Sequence, residues 1–146
     1  MEIKYQFFEK ENLLIQRFVG KFSFKRYLEY NRVIINKYDP TLVKKVLNDF
    51  RDLEIDEDSD DFFENVDKMT EIRKNINKNE IKIEDVTVVF WVDKPLPTVV
   101  AQLFVRYFRN KDYHYCSSTD KILKILNLTC EFNDLINITD NLENNF

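Results

Sequence analysis

Glycine is nearly absent: the 146 residues include one, Gly20. Motifs that hold a phosphate or a dinucleotide on a glycine-rich turn need several residues without a side chain, so that backbone amides can approach the ligand. The composition therefore excludes P-loop and dinucleotide-binding sites. We expect no cofactor.

Histidine and cysteine are also scarce, with one histidine, His114, and two cysteines, Cys116 and Cys130. His114 and Cys116 occupy alternate positions of one predicted strand, and two soft ligands fall short of the set that zinc requires. We interpret His114 as a packed or hydrogen-bonded side chain and Cys116 as a small buried residue, and we expect no metal site. Two cysteines without a signal-like start indicate unpaired thiols in a reducing cytoplasm.

A positive global charge and a long apolar run are both missing. The formal net charge is −4, so no basic field favours a nucleic-acid partner. The longest nearly apolar run extends from Val86 to Val92, far short of the length that crosses a bilayer. We therefore expect a cytoplasmic protein with no transmembrane segment. The basic residues from Arg17 to Arg26 are interpreted as a solvated face, with membrane anchoring as the alternative.

Core-forming residues are abundant, with 13 Phe and 7 Tyr in a chain that is 44% hydrophobic, enough for one domain. Alternation and apolar runs predict five strands, and helical spacing with Ser or Asp at the start predicts about four helices. The predicted strands are Ile3 to Phe7, Leu13 to Val19 ending at Gly20, Val43 to Phe50, Val86 to Val92 and Tyr113 to Cys116. The predicted helices start near Ser23, within or after Asp52 to Asp61, at Asp93 to Thr98 and at Ser117 to Thr119.

This order of elements predicts an α/β fold: a single-domain, mixed, mostly parallel five-stranded sheet with about four helices. The run from Val86 to Val92 has almost no alternation, which indicates a parallel strand covered on both faces, and we place it in the middle of the sheet. The helix after the acidic run carries an apolar stripe from Phe62 to Ile76.

Sites in such sheets form at the carboxyl ends of the strands. Asp49 and Arg51 flank Phe50 at one strand end and share a face, so they either present a charge pair at the rim or pin the loop. No signal raises a carboxylate pKa there or supplies a metal, so we expect no enzyme activity. Our candidate partner-binding rim comprises Asp49, Arg51, Ser59, Asp93, Lys94 and Ser117.

Three phrases, VLNDFRD, VDKPL and YCSSTDKILKIL, together with the order of elements, resemble the SpoIIAA-like family within the STAS and Sec14-like group. The resemblance covers residues 1–128 as one SpoIIAA-like domain and leaves 129–146 as a C-terminal tail, either docked as a helical turn or mobile. It implies a non-enzymatic regulatory module. Ser59, by order of elements, matches a serine that is phosphorylated in this group, with a plain helix cap as the alternative reading.

Two functions follow as expectations. The first is a regulatory module that binds another protein through the acidic loop after the third strand and the helix behind it. The second is a carrier for a lipid-like or small apolar ligand, as the resemblance to Sec14-like folds implies. The aromatic helix faces are interpreted as core packing, with an apolar pocket or a partner surface as the alternatives. A homodimer is compatible with either function.

Overall fold

A computed structural model describes residues 1–39, 41–55, 86–108, 112–129 and 134–146. It confirms an α/β single domain with a mixed, mostly parallel sheet. The described strands are β1 (Glu2–Phe8), β2 (Leu13–Lys21), β3 (Lys45–Asp49), β4 (Leu53–Glu54), β5 (Thr87–Trp91), β6 (Tyr113–Cys116) and β7 (Asn144–Asn145). The described helices are α1 (Phe24–Lys37), α2 (Pro95–Phe108), α3 (Thr119–Ile125) and α4 (Leu135–Asp140), with one 3-10 turn at Glu9–Glu11.

The strand order of the sheet is β6-β5-β3-β2-β1-β7. The sheet contains all five predicted strands, which are β1, β2, β3, β5 and β6. β1 and β2 form an antiparallel hairpin, and β3, β5 and β6 run parallel to β2. The prediction of five strands was too low, because β7 pairs with β1 and β4 pairs with the end of β2. β4 and β7 have two residues each, which is too short to give a pattern of alternation.

The predicted middle strand occupies a different place from the one expected. β5 lies between β3 and β6, one position from the edge, while β2 and β3 occupy the centre. Its burial on both faces is as predicted, since Val88, Val89, Phe90 and Trp91 are all buried. An apolar run requires a neighbour on each side and a helix on each face, but it does not fix the number of strands beyond those neighbours.

Gly20 lies inside β2 instead of ending it. Its φ of +81° falls in a region that side chains with a Cβ rarely adopt, so glycine suits this position. Gly20 lies where β2 changes its pairing partner. β2 is in register with β3 up to Arg17 and with β4 from Gly20. The Gly20 amide donates to the Asp52 carbonyl at 3.0 Å.

Helices cover both faces of the sheet. On one face, Tyr30 of α1 and Phe104 of α2 pack on an aromatic cluster that includes Phe18, Phe50 and Phe90. On the other face, α3 and α4 pack on an aliphatic layer, whose buried members are Leu13, Ile15, Leu47, Val89, Trp91, Ile122, Leu126, Leu135 and Leu142. The sheet is therefore sandwiched, and its carboxyl ends are left as the place where polar side chains collect.

The predicted helix starts agree with the structure where it describes them. Ser23 is the N-cap of α1 and accepts from the Arg26 amide, and the helix ends at Lys37, before Asp39. The predicted helix with the stripe from Phe62 to Ile76 lies outside the described residues, as do Ser59 and Cys130. Within the predicted tail, residues 134–146 form α4 and β7. Among the described helices, none has the length and hydropathy needed to cross a membrane.

Candidate functional site

One row of side chains crosses the sheet at the carboxyl ends of the parallel strands. Arg17 of β2 is in register with Asp49 of β3, Asp49 with Trp91 of β5, and Trp91 with Cys116 of β6. Residues in register project from the same face of a sheet. The row therefore places an arginine, a carboxylate and an indole side by side at the end of the aliphatic layer.

Asp49 and Arg51 form a two-pronged ion pair. The Arg51 Nε donates to Asp49 Oδ1 at 2.9 Å and Nη2 donates to Oδ2 at 2.7 Å. The Arg51 backbone amide also donates to Asp49 Oδ1 at 3.1 Å, which closes a tight turn over Phe50. Asp49 is fully buried, while the Arg51 side chain is 17% exposed. Parallel N–H bonds from one guanidinium to one carboxylate give the pair a fixed geometry.

Arg51 has two further contacts that hold its plane. Its guanidinium carbon lies 3.6 Å from the centre of a Trp91 ring, a stacked cation–π position. Its Nη2 also donates to Thr139 Oγ1 at 3.0 Å, so the buried Thr139 of α4 is attached to the strand ends. Burial acts to lower the pKa of Arg51, but the hydrogen bonds and charge of Asp49, with the charges of Asp52 and Asp93, outweigh burial and raise it.

Arg17 forms the second half of this cluster. It donates through Nε to Asp52 Oδ2 at 3.1 Å and contacts the same oxygen through Nη2. Its Nη1 donates to Asp140 of α4, and its Nε lies 4.0 Å from Asp49 Oδ2. The hydrogen bond from Arg17 lowers the pKa of Asp52. We call the group of Arg17, Asp49, Arg51, Asp52, Thr139 and Asp140 the strand-end cluster.

The strand-end cluster is arranged for structure rather than for proton transfer. A general base must be able to reach a substrate atom. Asp49 is inaccessible to solvent, and both of its oxygens accept from Arg51. The guanidinium of Arg51 is itself divided between Asp49, Thr139 and the face of Trp91. Of the two sequence interpretations of Asp49 and Arg51, the contacts correspond to pinning of the loop.

The remaining described rim residues are on the surface. Asp93 and Lys94 follow β5 and are exposed, and Ser117 follows β6 and is exposed. All three lie at the same edge of the sheet as the strand-end cluster, because β3, β5 and β6 are parallel. The predicted rim therefore has a closed part at Asp49 and Arg51 and an open part at Asp93, Lys94 and Ser117.

Large apolar side chains are exposed next to the open part. Leu96 is 39% exposed and Val99 is 50% exposed, one turn apart on α2. Gln102, one turn further, donates from Nε2 to the hydroxyl of Tyr115 at 3.3 Å, and Tyr115 of β6 is 43% exposed. We call Leu96, Val99 and Tyr115 the α2 patch. Its apolar side chains are bordered by charge at Asp93, Lys94 and Arg106.

His114 and Cys116 project from the same face of β6 and are both partly buried. Burial raises the pKa of the Cys116 thiol, which keeps it protonated near neutral pH. Across the described ranges, no group of three or more His, Cys, Asp or Glu side chains is placed to hold a metal ion.

The sequence interpretation missed four members of the strand-end cluster: Arg17, Asp52, Thr139 and Asp140. For Arg17 the interpretation as part of a solvated face was wrong, since its side chain is 17% exposed and is paired with Asp52 and Asp140. A signal was available for Arg17, because it alternates with Leu13 and Ile15 and so shares the core-facing side of β2. A charge on a core face needs a partner. Asp140 and Thr139 contact residues 123 and 88 positions away, and no local pattern indicates such contacts.

Comparison with known proteins adds no family. No protein-family model matches the chain, and no curated protein sequence matches it significantly.

Proposed function

We propose that the chain is a non-enzymatic regulatory module of the SpoIIAA-like kind that binds a partner protein at the open part of the rim. The observation that carries the proposal is the α2 patch, which exposes Leu96, Val99 and Tyr115 beside Asp93 and Lys94. Exposed apolar side chains rimmed by charge are typical of protein interaction sites.

The position of the patch supports a rigid binding surface. Leu96 and Val99 lie on a 14-residue helix whose opposite side packs into the core through Val100, Ala101 and Phe104. Tyr115 is held against the same helix by Gln102. A surface made on fixed elements loses little conformational entropy on binding, so a partner can bind it without reordering the domain.

The strand-end cluster supplies the adjoining framework. Its side chains contact one another and Trp91, so we assign it the role of fixing where β3 and β5 end. Of the acidic run Asp52 to Asp61 that the sequence predicts as part of the partner site, residues 52–55 are described, with Asp52 in the strand-end cluster, and residues 56–61 lie outside the described residues. The proposal therefore rests on Asp93, Lys94, Ser117 and the α2 patch.

The experiment is affinity capture with the full chain and two double variants. Leu96→Ser with Val99→Ser removes the patch, while Val33→Ser with Ile136→Ser removes two exposed apolar side chains from α1 and α4. We expect a co-purifying protein that the patch variant loses by about tenfold or more, because central apolar anchors carry most of the binding energy of an interface. The control variant should retain that protein.

Capture that is equal for all three proteins would overturn the proposal. The alternative function, a carrier for a lipid-like ligand, gives a different result in a parallel measurement. Denaturing extraction of the purified protein followed by mass spectrometry would then recover stoichiometric lipid, and that recovery would favour the carrier over the interaction module.

A further inference from the structure

The side of the sheet at β1 and β7, opposite β6, carries a second feature that the proposed function does not use. β7 has two residues and pairs with β1 at Lys4↔Asn145 and Tyr5↔Asn144, whereas β1 continues to Phe8. The Ile3 amide donates to the Phe146 carbonyl at 3.0 Å, and the Phe146 amide donates to the Ile3 carbonyl at 2.9 Å. A short segment thus occupies part of a longer strand edge.

Side-chain hydrogen bonds of Asn144 add to the strand pairing. The Tyr5 carbonyl accepts from the Asn144 side-chain Nδ2 at 3.1 Å, and the Asn144 side-chain oxygen accepts from Lys37 Nζ at 2.9 Å. Upstream, Leu135 and Leu142 are buried in the aliphatic layer and hold the chain in place. Any local opening is therefore confined to residues after Leu142.

Phe146 fills an aromatic position beside the same edge. Its ring centre lies 5.5 Å from that of Tyr30, and the Arg26 guanidinium carbon lies 5.1 Å from the Phe146 ring centre. Tyr5 and Phe18 close the other sides of Tyr30. The position resembles a pocket for an aromatic side chain with a cation at its mouth.

Tyr30 gives the independent observation. Its side chain is fully buried, yet its hydroxyl has no hydrogen-bond partner among the described residues. A buried polar group without a partner is unfavourable, and native structures contain few of them. With Phe146 in place this hydroxyl has no partner among the described residues, so the packing of Phe146 on Tyr30 leaves a polar atom unsatisfied.

We propose that the outer edge of β1, with Tyr30 and Arg26, is a strand-addition site for an extended peptide of a partner that carries an aromatic anchor, and that residues 144–146 occupy it as an internal substitute. Main-chain hydrogen bonds supply affinity in such sites and side-chain pockets supply selectivity. The site lies at the other edge of the sheet from the α2 patch. A negative result for this site would therefore leave the proposed function unaffected, and a negative result for the proposed function would leave this site unaffected.

The first test is amide hydrogen exchange by NMR on the full chain. Ile3 bonds outward to Phe146, so the neighbouring even positions Lys4 and Gln6 face β2. We expect the Ile3 amide to exchange about tenfold faster or more than Lys4 and Gln6, because it is protected by the displaceable segment. Tyr30→Phe should slow Ile3 exchange, since it removes the group that gains water when the segment opens. Equal exchange at the three amides, or no effect of Tyr30→Phe, would overturn the proposal.

The second test adds an N-acetylated peptide of sequence DNLENNF, residues 140–146, to the full chain and to its Phe146→Ala variant. We expect the Ile3, Tyr5 and Phe7 amide signals to shift in the variant at peptide concentrations about tenfold lower than in the unaltered chain, because there the internal segment competes. A peptide with alanine in place of its phenylalanine should cause no shift. Equal shifts in both proteins, or none in the folded variant, would overturn the site. Dimerisation of the unaltered chain that the peptide reverses would identify a second copy as the occupant and would overturn the assignment to a partner's peptide.

Discussion

The closed and the open parts of the strand-end edge use similar residues in opposite ways. Asp49 and Arg51 lie at the end of β3 and are packed against each other, whereas Asp93 and Lys94 follow β5 and are exposed to solvent. Both pairs join an acid and a base close in sequence. The difference arises from the layer above them: α4 and Trp91 cover the first pair, whereas Asp93 and Lys94 are exposed.

The comparison shows how burial determines what a charged pair contributes. A buried ion pair is costly to desolvate, and removal of one partner leaves an uncompensated charge. An exposed pair is screened by water and contributes little to stability. We infer that Asp49 and Arg51 hold the architecture of the edge, while the exposed Asp93 and Lys94 contribute little to its stability. Three substitution experiments test that division.

The largest effect is expected from Asp49→Ala. It leaves the Arg51 guanidinium buried without its carboxylate, and we expect a loss of about 3–5 kcal/mol in the free energy of unfolding. The matched control, Asp93→Ala, removes the same side chain from an exposed position and should change stability by about 0.5 kcal/mol or less. Urea unfolding of both variants measures the difference. Comparable losses in the two would show that burial does not separate the two parts of the edge.

A smaller effect is expected from Arg51→Lys, which keeps the charge but loses the planar fork. Lysine cannot donate to both Asp49 oxygens and Thr139 in the same geometry, nor stack on Trp91 in the same way. We expect a loss of about 1–2 kcal/mol and a shifted emission maximum of Trp91, the single tryptophan. Arg106→Lys on the exposed side of α2 is the control. An unchanged emission spectrum in Arg51→Lys would contradict the stacking.

The parts of the fold that the sequence predicted are those encoded locally. Ser23 followed by a helical apolar pattern defines α1, and the run at Val86 to Val92 defines a strand buried on both faces. β4 and β7 were missed because two residues carry no period, and they form only when β2 and β1 offer an edge. The prediction that β5 lies in the middle of the sheet was wrong for the same reason, since strand order depends on contacts between distant segments.

In the candidate site, too, contacts between residues close in sequence could be predicted and contacts between distant residues could not. Asp49 and Arg51 are two positions apart, so their pairing was open to local reasoning, and a role in pinning the loop was one of the two alternatives considered. Arg17 could have been found from its place on the core-facing side of β2. Thr139 and Asp140 reach the cluster only because α4 docks beside the sheet. A six-residue helix in a polar segment has too short a pattern to predict that contact.

The smallest expected effect is on the stability of the protein at acidic pH. The hydrogen bond from Arg17 lowers the pKa of Asp52 in the folded protein, so at moderately acidic pH the unfolded chain binds a proton that the folded protein does not. The stabilisation from Asp52 is therefore complete above the ordinary aspartate pKa of about 4 and is lost as pH falls through the lowered value. Because the Asp52 side chain is 42% exposed, we expect about 1 kcal/mol at most.

Asp52→Asn should flatten the fall in stability below pH of about 4, whereas Ser117→Ala, which changes an uncharged residue on the open part of the edge, should leave that slope as it is in the unaltered chain. Thermal unfolding midpoints measured from neutral to acidic pH give the slope for each protein. If Asp52→Asn leaves the slope unchanged, the contact with Arg17 does not lower the pKa of Asp52. If it flattens the slope, the closed part of the edge extends outward from buried Asp49 to half-exposed Asp52.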